Sequence, residues 1–402
     1  MEMRPGYKQT EAGVIPEDWD VLPLGGHVRI TSGESPSLIQ FSDEGRPYFK
    51  VEQLGNDTKY LGNHSTPYHF LRGRTVPRGS VVFAKRGAAI ALNRIRIFSD
   101  DAFMDTNLMA LTSVGSLDPE FIYYKLAHIG LEQFADTTSV PQINNKHINP
   151  LHFPFPLLPE QSAIATALSD VDALLSSLDA LIAKKRDIKQ SAIQQLLTGK
   201  TRLPGFEGEW EVKKVGEFTD CTAGGTPSTF RDDFWGGDIR WMNSGELNFR
   251  RVYEVEGRIT EAGLINSSTK LIPPGCVLIG LAGQGRTRGT VAMNYVELCT
   301  NQSIAAIFPN PSFSTEYLYQ NLDSRYEELR GLSSGGGRGG LNLTLIKGLD
   351  IPFPSIAEQT AIAEVLSDMD AELTALEARR DKTRLLKQGM MQELLTGKTR
   401  LV

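Results

Sequence analysis

Two Gly-Lys-Thr triplets, Gly199-Lys200-Thr201 and Gly397-Lys398-Thr399, carry the residue types that end a phosphate-binding loop. Such a loop needs a glycine five residues earlier, so that successive backbone N–H groups can close around phosphate oxygens. Gln194 and Gln392 stand there instead, and a helical pattern precedes each triplet where a strand should. LAGQGRTRG (281–289) and SSGGGRGG (333–340) are rich in glycine but neither reads GxGxxG between a strand and a helix. The six histidines (His27, His64, His69, His128, His147, His152) include no HxH or HxxxH spacing, and the three cysteines (Cys221, Cys276, Cys299) form no CxxC. Metal chemistry, zinc and disulfides are therefore not expected. No Asn-Pro-Pro-aromatic or Asp-Pro-Pro-aromatic loop for adenine methylation occurs, and NPLHF (149–153) does not replace it. The acidic pairs Asp170/Asp172 and Asp368/Asp370, two residues apart, would point to different faces of a helix. They suit a solvated face or an ion pair better than acid–base work, so no catalytic residue is expected.

What remains is chemistry of contact. Base edges are read by Arg, Lys, Asn, Gln, Ser and Thr from loops, and phosphates are held by Lys and Arg along a face. The first half gathers Arg72, Arg74, Arg78, Lys85 and Arg86, then Arg94 and Arg96; the second carries Arg286 and Arg288 among glycines and Arg338 in a separate glycine-rich loop. Asn107 and Asn301 each follow a threonine, where asparagine equally forms turns. Gln142 and Asn144 precede a long helical segment and could read bases or simply end a domain.

Composition pulls the other way. The 402-residue chain has a net charge of −6, with 40% hydrophobic and 22% charged residues. By segment the balance is about −2 for 1–152, +1 for 153–203, −4 for 204–350 and −1 for 351–402. Nucleic-acid binding would thus need a local basic face, with partners supplying the rest of the field. No apolar run approaches 18 residues and the start, MEMRPGYKQTEAG, lacks a secretory apolar stretch, so a cytoplasmic protein without membrane association is expected.

The elements that would position these residues come twice. Pro154 to Leu203 (PFPLLPEQSAIATALSDVDALLSSL…QQLLTGKTRL) recurs without a gap as Pro352 to Leu401, 198 positions on. In the first copy Ile164, Leu168, Val171, Leu175, Leu178 and Ile182 step by four and three; in the second Ile362, Leu366, Met369, Leu373 and Leu376 do the same. This spacing predicts a coiled-coil seam on a helix of roughly 38 residues, about 57 Å long. Pro159-Glu160-Gln161 supplies helix-start chemistry, and Gly199 and Gly397 supply stops. Two such stripes predict an antiparallel pair, the alternative being that each helix packs on its own domain.

The regions ahead of the helices are more weakly related. Trp19 matches Trp210, and Thr31, Gly33, Ser35, Pro36 and Ser37 match Thr222, Gly224, Thr226, Pro227 and Ser228. VPRGSVVFA (76–84) resembles IPPGCVLIG (272–280), and PEFIYYKL (119–126) resembles TEYLYQNL (315–322). Short β-branched runs with few helices, near 119–135 and 314–330, predict strand-rich heads.

A tryptophan-led domain with a TxGxTPS-like turn, followed by a PxP…EQ…I…L…D helix ending in LLTGKTRL, all present twice, resembles the specificity (S) subunit of type I restriction–modification systems. The resemblance spans essentially the whole chain. It implies an α+β chain: two α/β target-recognition domains separated by two long helices forming an antiparallel coiled coil, a pseudo-two-fold internal duplication. The segments would be recognition domain 1 (1–152), central helix (153–203), recognition domain 2 (204–350) and C-terminal helix (351–402). It implies a non-catalytic subunit that recognises a bipartite asymmetric site on double-stranded DNA. Two methyltransferase (M) subunits would dock on it and, through them, restriction (R) subunits. S-adenosylmethionine, ATP and Mg would belong to those partners and no cofactor to this chain. Alternatives are the specificity subunit of a Type IIB-like restriction–methylation enzyme and a two-headed coiled-coil adaptor with no DNA role.

Overall fold

The computed structural model describes residues 5–10, 13–35, 41–56, 58–136, 139–283, 285–332 and 340–401. The chain divides into two compact units, one made of Met1–Asp179 with Ala378–Val402, the other of Ala180–Glu377.

In the first unit, β1 (Val28–Ser32), β2 (Tyr60–Leu61), β3 (Val81–Ala84), β4 (Ile95–Phe98) and β5 (Leu108–Ser113) form a sheet in the order β1-β5-β3-β4-β2. All pairs are antiparallel except β2 with β4. Helix α1 (Pro119–Ile129) covers one face, and the long helix α2 (Leu158–Leu196) starts after it. In the second unit β6 (Cys221–Ala223), β7 (Arg251–Val252), β8 (Val277–Gly280), β9 (Val291–Asn294) and β10 (Ile304–Ile307) repeat the order as β6-β10-β8-β9-β7, again with only the last pair parallel. Helices α3 (Thr315–Ser324) and α4 (Ile356–Leu394) follow.

Period-two alternation explains the unbroken apolar runs. In VVFA, Val81 and Phe83 enter a core with Trp19 and Phe121, while Val82 and Ala84 enter a second core with Phe49 and Leu54. VLIG divides the same way, Val277 and Ile279 to one side and Leu278 to the other. A sheet buried on both faces has no need of polar alternation.

Both long helices run 39 residues and are followed, three residues on, by a glycine in the left-handed region, Gly199 (φ +69°) and Gly397 (φ +74°). Within each unit they run antiparallel. Asp172 of α2 pairs with Lys387 of α4 at 2.6 Å in the first unit, and Lys189 of α2 with Asp370 of α4 at 2.5 Å in the second. The anticipated seam residues are all buried or half-buried, but they do two jobs. Ile164 and Leu168 join the first head's core together with Leu394 and Leu395, and Ile362 and Leu366 join the second head's core with Leu196 and Leu197. Packing on a head and packing on the other helix are thus combined along one stripe.

The Glu-Gln pair opening each long helix meets the tail that closes the other. Gln161 accepts from the Asp118 N–H and donates to the Pro156 carbonyl; Gln359 does the same with Ser314 and Pro354. Glu160, 4% exposed, takes the Trp19 indole N–H and the Arg400 guanidinium; Glu358, 1% exposed, takes the Trp210 indole and Arg202.

Candidate nucleic-acid interface

The end of each sheet remote from the start of α1 or α3 gathers the candidate contact residues. In the first unit Lys85 and Arg86 leave β3 at this end. The Lys85 N–H donates to the Asn107 carbonyl, and its own carbonyl accepts from Ile143. Arg86 bridges Gln142 through the backbone, and Lys85 Nζ donates to Ser32 Oγ at 2.8 Å. Burial lowers the Lys85 pKa, with Asp105 pulling the other way. Arg94 enters β4 at the same end, because Ile95 faces Phe83 across the strand pair. Arg74 lines a small cavity with Ser32, Gly33 and Met104. Tertiary structure therefore assembles Arg74, Lys85, Arg86, Arg94, Asn107 and Gln142 on one rim. Arg72, Arg74, Arg86 and Arg94 are exposed, and among the described residues no carboxylate pairs with them. Arg78 is elsewhere, its N–H donating to Asp101 near the opposite end of β3.

The second rim is built on the same plan with different side chains. Leu281, leaving β8, donates its N–H to the Ser303 carbonyl and accepts from Leu341. The loop from 281 to 290 carries Arg286, exposed, and Arg288, half-buried, at this end. The Arg286 carbonyl accepts from the Tyr326 hydroxyl, and Arg330 donates to the Gly285 carbonyl, which tie the loop to the body. Arg338 lies outside the described residues.

One sequence equivalence changes and one is added. Asn107 and Asn301, which share a preceding threonine, do not correspond. Asp105 and Asn301 do: each side chain accepts from the N–H two residues on, Asn107 or Ser303. Their own N–H groups bond the Phe49 and Met242 carbonyls. The same registry pairs Thr106 with Gln302, both exposed at the turn tip, and Gln302 Oε1 accepts from Thr226 Oγ1 at 2.5 Å. Gln302 was not among the candidates, because matching the Thr-Asn pairs set the repeat frame off by two residues and concealed it. Asn144, half-buried ahead of a short helix (Asn145–Ile148), has a counterpart in Asn342, whose side chain caps Leu343–Lys347. The 198-residue offset, carried upstream of Pro154, would have found it.

Gly33 and Gly224 are required by close approach. A Cβ on Gly33 would lie 1.9 Å from the Met104 carbonyl oxygen, and one on Gly224 2.1 Å from that of Thr300. The matched TxG turns are thus pressed against the turns that carry Thr106 and Gln302.

Asp172 and Asp370 sit in the interhelical ion pairs described above. Cys221, Cys276 and Cys299 are buried without disulfides, and burial pushes the Cys276 thiol up to about 12. Among the described residues no cluster of three His, Cys, Asp or Glu could hold a metal, and no helix is long and apolar enough to cross a membrane.

The same head is built twice, once in each unit, each time packed on stretches of both long helices. Residues 16–186 and 207–385 match the type I restriction modification DNA specificity domain, so the chain belongs to this family, that of the specificity subunits of type I restriction–modification systems. The chain is 21% identical to the type I restriction enzyme MjaVIII specificity subunit of Methanocaldococcus jannaschii, over 98% of this chain and 96% of that one. It is 30% identical over 261 residues to the EcoR124I/EcoR124II specificity subunit of Escherichia coli, 62% of this chain and 63% of that one. The match to the MjaIX specificity subunit of M. jannaschii is 34% identical but spans only 38% of that protein's length. In fold, the chain is similar to the S subunit of the type I system of M. genitalium (TM-score 0.61, 16% identity, 98% of both chains). A chain from a type I restriction–modification assembly gives a TM-score of 0.57 at 17% identity, over 96% of this chain and 99% of that one.

Proposed function

We propose that this chain is the non-catalytic recognition subunit that directs a type I restriction–modification complex to a split, asymmetric DNA sequence, each head reading one half. The observation that carries the reading is the repeated rim: one backbone plan, with Lys85, Arg86 and Thr106 in one copy and Leu281, Arg286 and Gln302 in the other. One plan with different side chains is what two unequal half-sites require, since phosphate contacts set register and side chains at base edges set sequence. The unpaired arginines answer the acidic net charge, because a local basic rim is sufficient for phosphate contact.

Methylation and cleavage would then reside in docked subunits, with S-adenosylmethionine, ATP and Mg bound there. A surface suited to docking is the cleft of about 710 Å³ beside Leu385 and Leu386, which are 68% and 59% exposed and flanked by Ala167, Gly389, Met390 and Leu401. Adjacent exposed leucines over an apolar cleft mark an interaction surface more than a solvated helix face. Co-expression with the cognate methyltransferase subunit, followed by sequencing of methylated DNA, should give one split motif with two unequal halves. Replacing residues 20–150 by another recognition domain should change one half only; an unchanged motif would sink the reading.

A further inference from the structure

Each head is fastened to its long helices by a polar joint built from corresponding positions. In the first unit Lys59 Nζ, just ahead of β2, donates to Glu120 at 2.9 Å and to Ser169 Oγ of α2 at 2.9 Å. Tyr124 on α1 then donates to Asp172 of α2 at 2.6 Å, and Asp172 also holds Lys387 of α4. In the second unit Arg251 in β7 pairs with both oxygens of Glu316, which accepts from Ser367 Oγ of α4 at 3.1 Å. Gln320 on α3 donates to Asp370, which holds Lys189. The two cations differ, as do Tyr124 and Gln320, and the long-helix serine meets the cation in the first joint and the carboxylate in the second, yet both joints link a head cation and a helix-start glutamate to a long-helix serine.

Adhesion alone does not call for this. Apolar side chains of similar size would hold a head to a helix as firmly, since half-buried ion pairs gain little net stability. A directional network selects one orientation instead. The rim lies at the opposite end of the sheet from the joint. Over a strand of about 16 Å, a tilt of about 12° at the joint moves the rim by about 3.4 Å, one base-pair step. We infer that the Lys59–Glu120–Ser169 and Arg251–Glu316–Ser367 joints are positioning elements that set the spacer length accepted between the two half-sites. The inference rests on the bipartite reading proposed above.

The full chain is co-expressed with its methyltransferase subunit and the methylated motif is sequenced for wild type, Glu120→Ala, Glu316→Ala, and the milder Ser169→Ala/Ser367→Ala pair. The half-site bases should stay the same, while methylation at spacers one base pair longer or shorter rises by about fivefold or more relative to the wild-type spacer. Lys59→Arg, which copies the other joint, should keep the wild-type spacer. If the carboxylate variants do not fold, the serine pair carries the same expectation. A folded, loosened variant whose methylation falls without any change in spacer overturns the inference. Absence of a split motif in wild type would instead overturn the bipartite reading.

Discussion

Arg400 reaches back from the tail after α4 to Glu160 in the first turn of α2, its Nε 2.6 Å from Oε1 and its Nη2 2.9 Å from Oε2, while both Nη atoms hold Asp18. The TGKTRL tail is thus a latch that neutralises a carboxylate buried at a helix start, and Arg202 and Glu358 repeat it. Removing the arginine strands the buried charge. Arg400→Ala should lower stability by about 2–3 kcal/mol in thermal or denaturant unfolding, and adding Glu160→Gln should recover part of the loss. Equal stability of the single and double variants would show that Glu160 is not what the latch serves.

The TxG turns tolerate no side chain. Gly33→Ala and Gly224→Ala each drive a methyl into a carbonyl oxygen of the neighbouring turn and should cost about 3 kcal/mol or more. Gly26→Ala, with nothing within 4 Å and no positive φ, should be near neutral. Unfolding curves showing all three alike would contradict the close approach.

Lys125 sets a pH dependence. It is 5% exposed, donates to the Leu395 carbonyl at 2.5 Å, and burial lowers its pKa from 10.5 to about 8. Between pH 8 and 10.5 the unfolded chain binds more protons than the folded one, so this residue's contribution to stability rises with pH there and is a constant cost below pH 8. The corresponding position in the second head is neutral Asn321, 3% exposed. Lys125→Met should be more stable by roughly 1–3 kcal/mol at pH 7, with the advantage shrinking towards pH 10. A constant difference across that range would count against the mechanism.

The rims make separable predictions for DNA. Arg86→Ala should weaken binding by the assembled complex similarly across sequences and reduce the slope of log affinity against log salt by about one phosphate contact. Gln302→Ala should relax one or more base positions in one half-site and leave the other half intact, read by methylation sequencing. A uniform loss from Gln302→Ala would make it a phosphate or framework residue instead.

The sequence by itself settled the duplication, the two long helices and the heads' strand-rich character. Those follow from local pattern: the four-three apolar stepping, the Glu-Gln starts, the glycine stops and the β-branched runs. Trp19, Gly33 and their partners Trp210 and Gly224 were also legible, because identical geometry demanded identical residues twice. Tertiary structure decided what those signals touch. Glu160 and Arg400 are 240 positions apart, and no periodicity links a helix start to the other helix's tail. Asn107 and Asn301 looked equivalent until backbone bonds to Phe49 and Met242 moved the frame to Asp105. Rim residues resist reading for a physical reason: the framework constrains only their backbone, leaving side chains free to differ, whereas the repeated scaffold must form the same buried contacts in both halves.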